Sequence, residues 1–466
     1  MKDNKEFNLP IIIIGIIFSA IFIATKKSIA MYVWFGIVVL YLIYEQARYK
    51  RFNDYTNLVI ISLYSCILPD NYVVILISGI LMIYYALNTI KQSRGINIYE
   101  ILLMVFLVAN TLLSENKVIN VLFFIIFNFT FLLYFYVFKN IKKLNIDKDL
   151  IKNSINNIVV IQIFATLSWV IFRLDFVLAD LGGDWSTGTL GTFQGNILML
   201  ILAFTAIRYM KEYRHDKKIH KLVLILLSGV VIMSTACITN TLFLILAIVI
   251  YVMRSFLKSF KENMKYVLFV MVIGITFTTV MPTWVKEDLV NLTKYEYLVD
   301  RVKKLQTYKE TFVDIPMKDS SYFLMGNGAG FYSSRAALTV GGEYVSGYEK
   351  ILPVSLSKYT QEYIYEPLFQ EEFDGSILSA PFSSVISVMG EFGIIGFMIF
   401  AVFMIKLYKG IKEEELIILL LFTLLCFSEN WLEFAKVVIF FWASFYLSID
   451  TKQECLEKEE EEKGMI

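Results

Sequence analysis

The sequence predicts an all-α polytopic membrane protein with about 14 transmembrane helices and one long extracytoplasmic loop. Composition is the first reason. Residues are 57% hydrophobic and 18% charged, too few charges to clothe a soluble chain of 466 residues. Secondly, apolar runs of near-spanning length succeed one another with short polar breaks. Thirdly, one long polar stretch, Thr283 to about Ser379, stands alone among them.

The first six spans fall near 9–24, 29–44, 57–69, 72–89, 97–113 and 118–138. The next five fall near 154–173, 190–208, 222–237, 239–253 and 266–282, and the last three near 381–405, 415–428 and 434–449. The chain therefore divides into transmembrane helices 1–11 over 1–282, the loop over 283–380, helices 12–14 over 381–449 and an acidic, disordered cytoplasmic tail over 450–466. Within 222–253 only Thr239-Asn240-Thr241 separates two spans from one long tilted helix. The Leu9–Ala24 run lacks a small-residue cleavage site and is expected to stay as the first helix.

Lys and Arg gather on alternate loops, among them Arg48, Lys50 and Arg51, then Lys139, Lys142 and Lys143, then Arg208, Lys211 and Arg214. That bias marks the cytoplasmic side. Both termini are then inside and the long loop outside.

Several chemistries are excluded by residue type. The only histidines, His215 and His220, lie in a strongly cytoplasmic loop, so neither a Ser-His triad nor a His-ligated zinc site is expected outside. No Walker A pattern occurs, and the outer side offers no Asp-X-Asp pair for a metal. No cofactor is implied. The four scattered cysteines form no framework, and a net charge of +1 gives no bulk attraction for nucleic acid.

Arginine, carboxylate, tyrosine and glycine remain. Arg301 lies in Tyr295–Phe312, where Leu298, Val302, Leu305 and Phe312 have helical spacing. It is a phosphate ligand or part of a surface helix's solvated face. Gly326, Gly328 and Gly330 form a cluster whose N–H groups cup an anion or make a plain turn, and Arg335 follows closely. Guanidinium forks match phosphate oxygens and keep their charge at any working pH. Glu391, inside Gly390-Glu391-Phe392-Gly393-Ile394-Ile395-Gly396, opens a span where an unpaired carboxylate is costly. It is a general base or an arginine's structural partner. Arg173 and Asp175 end the seventh span as an outer rim or a simple cap, and Glu429, Trp431 and Glu433 read as rim residues.

In this order the pieces resemble the O-antigen polymerase and O-antigen ligase superfamily of bacterial envelope proteins. Leu190-Gly191-Thr192-Phe193-Gln194-Gly195-Asn196 is similar to the family's Gly-Thr-Phe followed by Asn at the start of a span. The loop then supplies an Arg, Gly326-Asn327-Gly328-Ala329-Gly330-Phe331, and finally Glu391-Phe392-Gly393-Ile394-Ile395-Gly396. The resemblance covers roughly 154–405, and three elements depart from it, one being the absence of the family's tryptophan after the loop arginine. Asn240 stands nearest the place of the family's Ser-Arg arginine, and Phe382-Ser383 stands where ligases carry His-Asn.

The resemblance implies a metal-free glycosyltransferase of the bacterial cell membrane that polymerises capsule, exopolysaccharide or O-antigen. Its substrates would be oligosaccharide repeats on undecaprenyl pyrophosphate at the outer leaflet. Arg301 and Arg335 would hold the diphosphate and Glu391 would activate the acceptor hydroxyl. Arg173, Asn196, Gly326, Gly328, Gly330, Tyr344 and Tyr348 would contact substrate. Membrane lipid, a chain-length regulator and a flippase are the implied partners. The alternatives are a flippase for the same lipid-linked units and O-antigen ligase-like transfer to another acceptor.

Overall fold

The computed structural model describes residues 8–49, 54–91, 98–113, 118–175, 186–255 except 192, 193 and 236, then 303–340, 357–366 and 382–464 except 410, 412 and 413, with isolated residues between 271 and 294. Arg301, Tyr344, Tyr348 and the predicted span near 266–282 lie outside them, save Met271. Among the described residues the chain is helical without strands.

The helices run α1 Asn8–Thr25, α2 Ile29–Tyr49, α3 Asp54–Ser65, α4 Tyr72–Lys91, α5 Ile98–Leu113, α6 Val118–Lys139 and α7 Lys148–Phe172. Next come α8 Gly195–Asp216, α9 Ile219–Ser234 and α10 Ile238–Ser255. Between residues 303 and 360 come α11 Lys303–Lys309, α12 Ile315–Lys318, α13 Ser320–Met325, α14 Arg335–Val340 and α15 Lys358–Thr360. The chain closes with α16 Ser384–Lys409, α17 Glu415–Leu425 and α18 Ala435–Gly464. Among the described residues, four helices carry segments long and apolar enough to cross a bilayer: Ile29–Ala47, Val118–Lys139, Lys148–Phe172 and Ser384–Lys409. Shorter apolar helices accompany them, and together they are compatible with a membrane protein.

Local chemistry sets the helix ends. Asp147 caps α7, its carboxylate accepting from Asp149 N and Leu150 N at 3.0 and 3.1 Å. Ser383 does the same for α16, through Val385 N and Ile386 N. The 222–253 stretch is two helices, broken between Ser234 and Ile238. The acidic tail is a correction: α18 continues through Gly464 instead of ending in disorder. Its Glu and Lys run is made of strong helix formers with no Pro before the final Gly to stop it.

α1 packs on α7, while α18 packs on α6, α8 and α17. The aromatic seam at this last junction is dense, with Phe422 and Phe441 stacked at 3.9 Å and Trp442 edging Phe131 and Phe135. Arg208 and Lys211 are a further correction. Both sit within α8 and are 0% and 1% exposed, so they are buried ties and not open loop cations. Arg208 Nη2 and Tyr209 OH both donate to Asn156 Oδ1 at 2.8 Å. Lys211 Nζ donates to the Glu415 carboxylate and, at 2.7 Å, to Ser448 O, joining α8, α17 and α18.

A buried pair is far more costly to break than to replace. Lys211→Ala is expected to cost about 3–5 kcal/mol by stranding Glu415. Thermal unfolding in detergent should show that loss largely recovered in Lys211→Met/Glu415→Leu.

Candidate functional site

α16 does not run straight. At Gly393 the backbone turns to φ 61°, ψ −164°, which interrupts the helical ladder. A break in a helix apolar enough to span a bilayer frees carbonyls where lipid offers no donor. The freed groups are met by the glycine cluster. Asn327 N donates to Gly390 O at 2.8 Å and Gly328 N to Glu391 O at 2.9 Å.

The approach is backbone against backbone, and that is why glycines stand on both sides. A Cβ on Gly326 would run into the Glu391–Phe392 peptide, and one on Gly393 into the Leu324–Met325 peptide. Both residues also have positive φ, at 72° and 61°. Gly390 must lack a side chain for a different reason, because the Tyr332 ring fills that space.

Glu391 completes the clasp. Its carboxylate accepts from Gly330 N at 3.0 Å and Tyr332 N at 3.4 Å, and the residue is 0% exposed. Three asparagines tie off the remaining backbone. Asn110 of α5 donates to Met325 O and Glu391 O, at 2.6 and 3.1 Å, and accepts from Ala329 N. Asn120 of α6 donates to Gly330 O at 2.9 Å. Asn430 donates to Ser333 O at 2.8 Å and is itself fixed by Ser387.

The clasp delivers Arg335 to the hairpin between α17 and α18. Arg335 N donates to Glu433 Oε2 at 2.6 Å. Its guanidinium lies 4.3 Å from the Phe434 ring centroid and 5.3 Å from that of Phe127. Asn128 of α6 reaches the other Glu433 oxygen at 3.5 Å. Burial, with the neighbouring Glu391 carboxylate adding to it, pushes the Glu433 carboxyl up to about 8, and Arg335 opposes the rise. Beside it Lys304 Nζ faces Glu429 Oε1 at 4.0 Å. Burial drives both toward their neutral forms, raising the acid and lowering the amine.

Of the residues singled out in the sequence, Gly326, Gly328, Gly330, Glu391 and Arg335 meet here. Arg173 instead closes the end of α1, donating to Ile23 O and Ala24 O at 3.2 Å. Asn196 stands in the first turn of α8, its Oδ1 2.8 Å from Ile197 N. Glu433 and Trp431 are buried at 5% and 0% exposure, which corrects their reading as rim residues. Lys436 went unnoticed in the sequence. It donates to Leu68 O at 2.7 Å and to Gln194 Oε1 at 3.1 Å, joining α18 to the segment before α8. A polar side chain inside an apolar run was the available signal for Asn110, Asn120, Asn128 and Lys436. Among the described residues no group of three or more His, Cys, Asp or Glu side chains is placed to hold a metal.

Two outcomes are expected. Gly326→Ala and Gly393→Ala each lose at least about 1–3 kcal/mol from backbone strain alone. The same substitution at Gly79, where a Cβ meets nothing within 4 Å, should leave the unfolding temperature in place. Glu433 has a folded pKa above its ordinary 4.5, so its contribution to stability is greatest below about 4.5 and is lost as pH rises to about 8. Thermal unfolding across that window should show wild type falling relative to Glu433→Gln. Comparison with protein-family models, with curated proteins and with solved structures gives no match for this chain.

Proposed function

We propose that the chain is a bacterial cell-membrane polysaccharide polymerase acting on undecaprenyl-pyrophosphate-linked repeat units at the outer leaflet. On this reading about 14 spans are arranged with both termini inside, and the clasp lies at the outer side. The observation that carries it is the clasp itself. Two motifs that resemble the O-antigen polymerase and ligase superfamily, and whose residues Gly330 and Glu391 are 61 positions apart, close on one another and present Arg335.

The chemistry is transfer of a growing glycan from its lipid carrier. An acceptor hydroxyl on the next lipid-linked unit gives up its proton to a carboxylate, and its oxygen bonds to the anomeric carbon of the donor sugar. The bond from that carbon to the diphosphate breaks, and undecaprenyl pyrophosphate leaves with the electron pair. Arg335 supports this by offering a permanently charged fork to the developing diphosphate charge. Two aromatic rings hold the guanidinium, which limits the entropy lost on binding. Arg301 joins it as a further phosphate ligand in this reading, with Tyr344 and Tyr348 stacking on sugar rings, while Arg173 and Asn196 stay outside the site because their side chains are committed to the ends of α1 and α8. A flippase and a chain-length regulator are the partners such an enzyme needs.

The test uses the full-length protein purified in detergent with lipid-linked repeat units from its own bacterium. Wild type is expected to build a ladder of longer glycans with no nucleotide and no membrane gradient. Arg335→Ala should slow that ladder by about a hundredfold or more at equal folded protein, and Arg335→Lys should restore part of it. Lengthening by Arg335→Ala at the wild-type rate would contradict the proposal. So would a protein that only moves the units across a bilayer, as a flippase does.

A further inference from the structure

The sequence directs attention to Glu391 as the carboxylate that would activate an acceptor, but three carboxylates converge beside Arg335. Their surroundings separate them. Glu391 is 0% exposed, and its two oxygens each accept a backbone N–H of the glycine loop. A carboxylate used in this way holds the loop and has no oxygen directed to a substrate. Glu429 faces the Lys304 ammonium, which opposes proton uptake.

Glu433 differs from Glu391 in how its oxygens are held. Only Oε2 is firmly engaged, by Arg335 N at 2.6 Å, while Oε1 has the Asn128 amide at 3.5 Å, the outer limit of a hydrogen bond. The residue keeps 5% exposure. It also directly precedes Phe434, whose ring lies against the Arg335 guanidinium, so carboxylate and guanidinium share one short turn. A base for the acceptor and a cation for the leaving group belong side by side in a displacement at one carbon.

We infer that Glu433, through its Oε1, takes the proton of the acceptor hydroxyl, and that Glu391 is a positioning residue for the glycine loop. The inference rests on the polymerase reading. The acceptor's O–H bond breaks and an O–H bond forms at Glu433; the acceptor oxygen bonds to the anomeric carbon; the carbon–diphosphate bond breaks toward Arg335. The proton then passes to solvent as undecaprenyl pyrophosphate leaves. The charged groups acting on Glu433 are Glu391 from α16 and Arg335 from α14. A carboxyl raised to about 8, first by burial and then by the Glu391 charge, is suited to proton transfer near neutrality.

The experiment follows lengthening of the lipid-linked unit by full-length wild type, Glu433→Gln and Glu391→Gln from pH 5 to 9. For wild type, kcat should rise with pH, pass its midpoint near 8 and level off above it. Glu433→Gln should lose about 10²- to 10⁴-fold in kcat with little change in KM, stay folded, and show no such rise in its residual rate. Glu391→Gln should lower thermal stability and keep the wild-type shape of the pH profile. A working wild type beside a Glu433→Gln variant within about threefold of it, with an unchanged profile, overturns the assignment alone. A wild type that lengthens nothing overturns the polymerase reading and the assignment with it.

Discussion

Breaking a helix inside an apolar layer creates a debt of unpaired backbone groups, and the structure depends on how α16 settles it. The carbonyls of Gly390 and Glu391 accept from the backbone of Asn327 and Gly328, and the Glu391 side chain accepts from Gly330 and Tyr332 in return. The buried interior around Glu391 and Phe392 supplies no alternative partner, so these bonds are close to obligatory. Such contact requires peptide planes to touch, which removes the side chains at Gly326 and Gly393. The polar segment from Gly326 to Tyr332 thereby becomes an internal part of the helical body.

The same constraint explains why so many polar side chains are buried without being functional in themselves. Asn110, Asn120 and Asn430 are amides fixed to backbone, each offering donor and acceptor in one group. At the α8 junction, Lys211 and Glu415 act as a charged tie between helices. Beside the clasp the balance differs. Arg335, Glu433, Glu429, Lys304 and Lys436 crowd one hairpin, and burial pushes Glu433 toward its neutral form. Charges kept where they are costly, around a shaped loop, are the mark of a site more than of a scaffold.

Hydropathy made the helices legible, because a spanning run needs many apolar residues in succession and few sequences supply them by chance. The glycine cluster and the Glu391 motif were legible as unusual, since each breaks the local pattern of its surroundings. Their pairing was not. A hydrogen bond from the Gly330 backbone to the Glu391 carboxylate, 61 positions on, leaves no periodic trace in a single sequence. Glu433 read as a rim residue because two acids and a tryptophan in a short hairpin suit an interface equally well; only the packing of Asn128 and Arg335 against it reveals its burial. Arg208 and Lys211 misled for a related reason. Charge bias assigns a side of the membrane, yet it does not say whether α8 ends before them or runs past them to Asp216.

On the proposed function, the clasp presents Arg335 to a lipid-linked diphosphate. An experimental structure of the full-length protein in lipid nanodiscs with undecaprenyl pyrophosphate tests it most directly. The account predicts the diphosphate within hydrogen-bond distance of the Arg335 guanidinium, with the Gly326–Gly330 segment still closed on Glu391. A diphosphate bound elsewhere, with Arg335 still covered by Phe127 and Phe434, would contradict it.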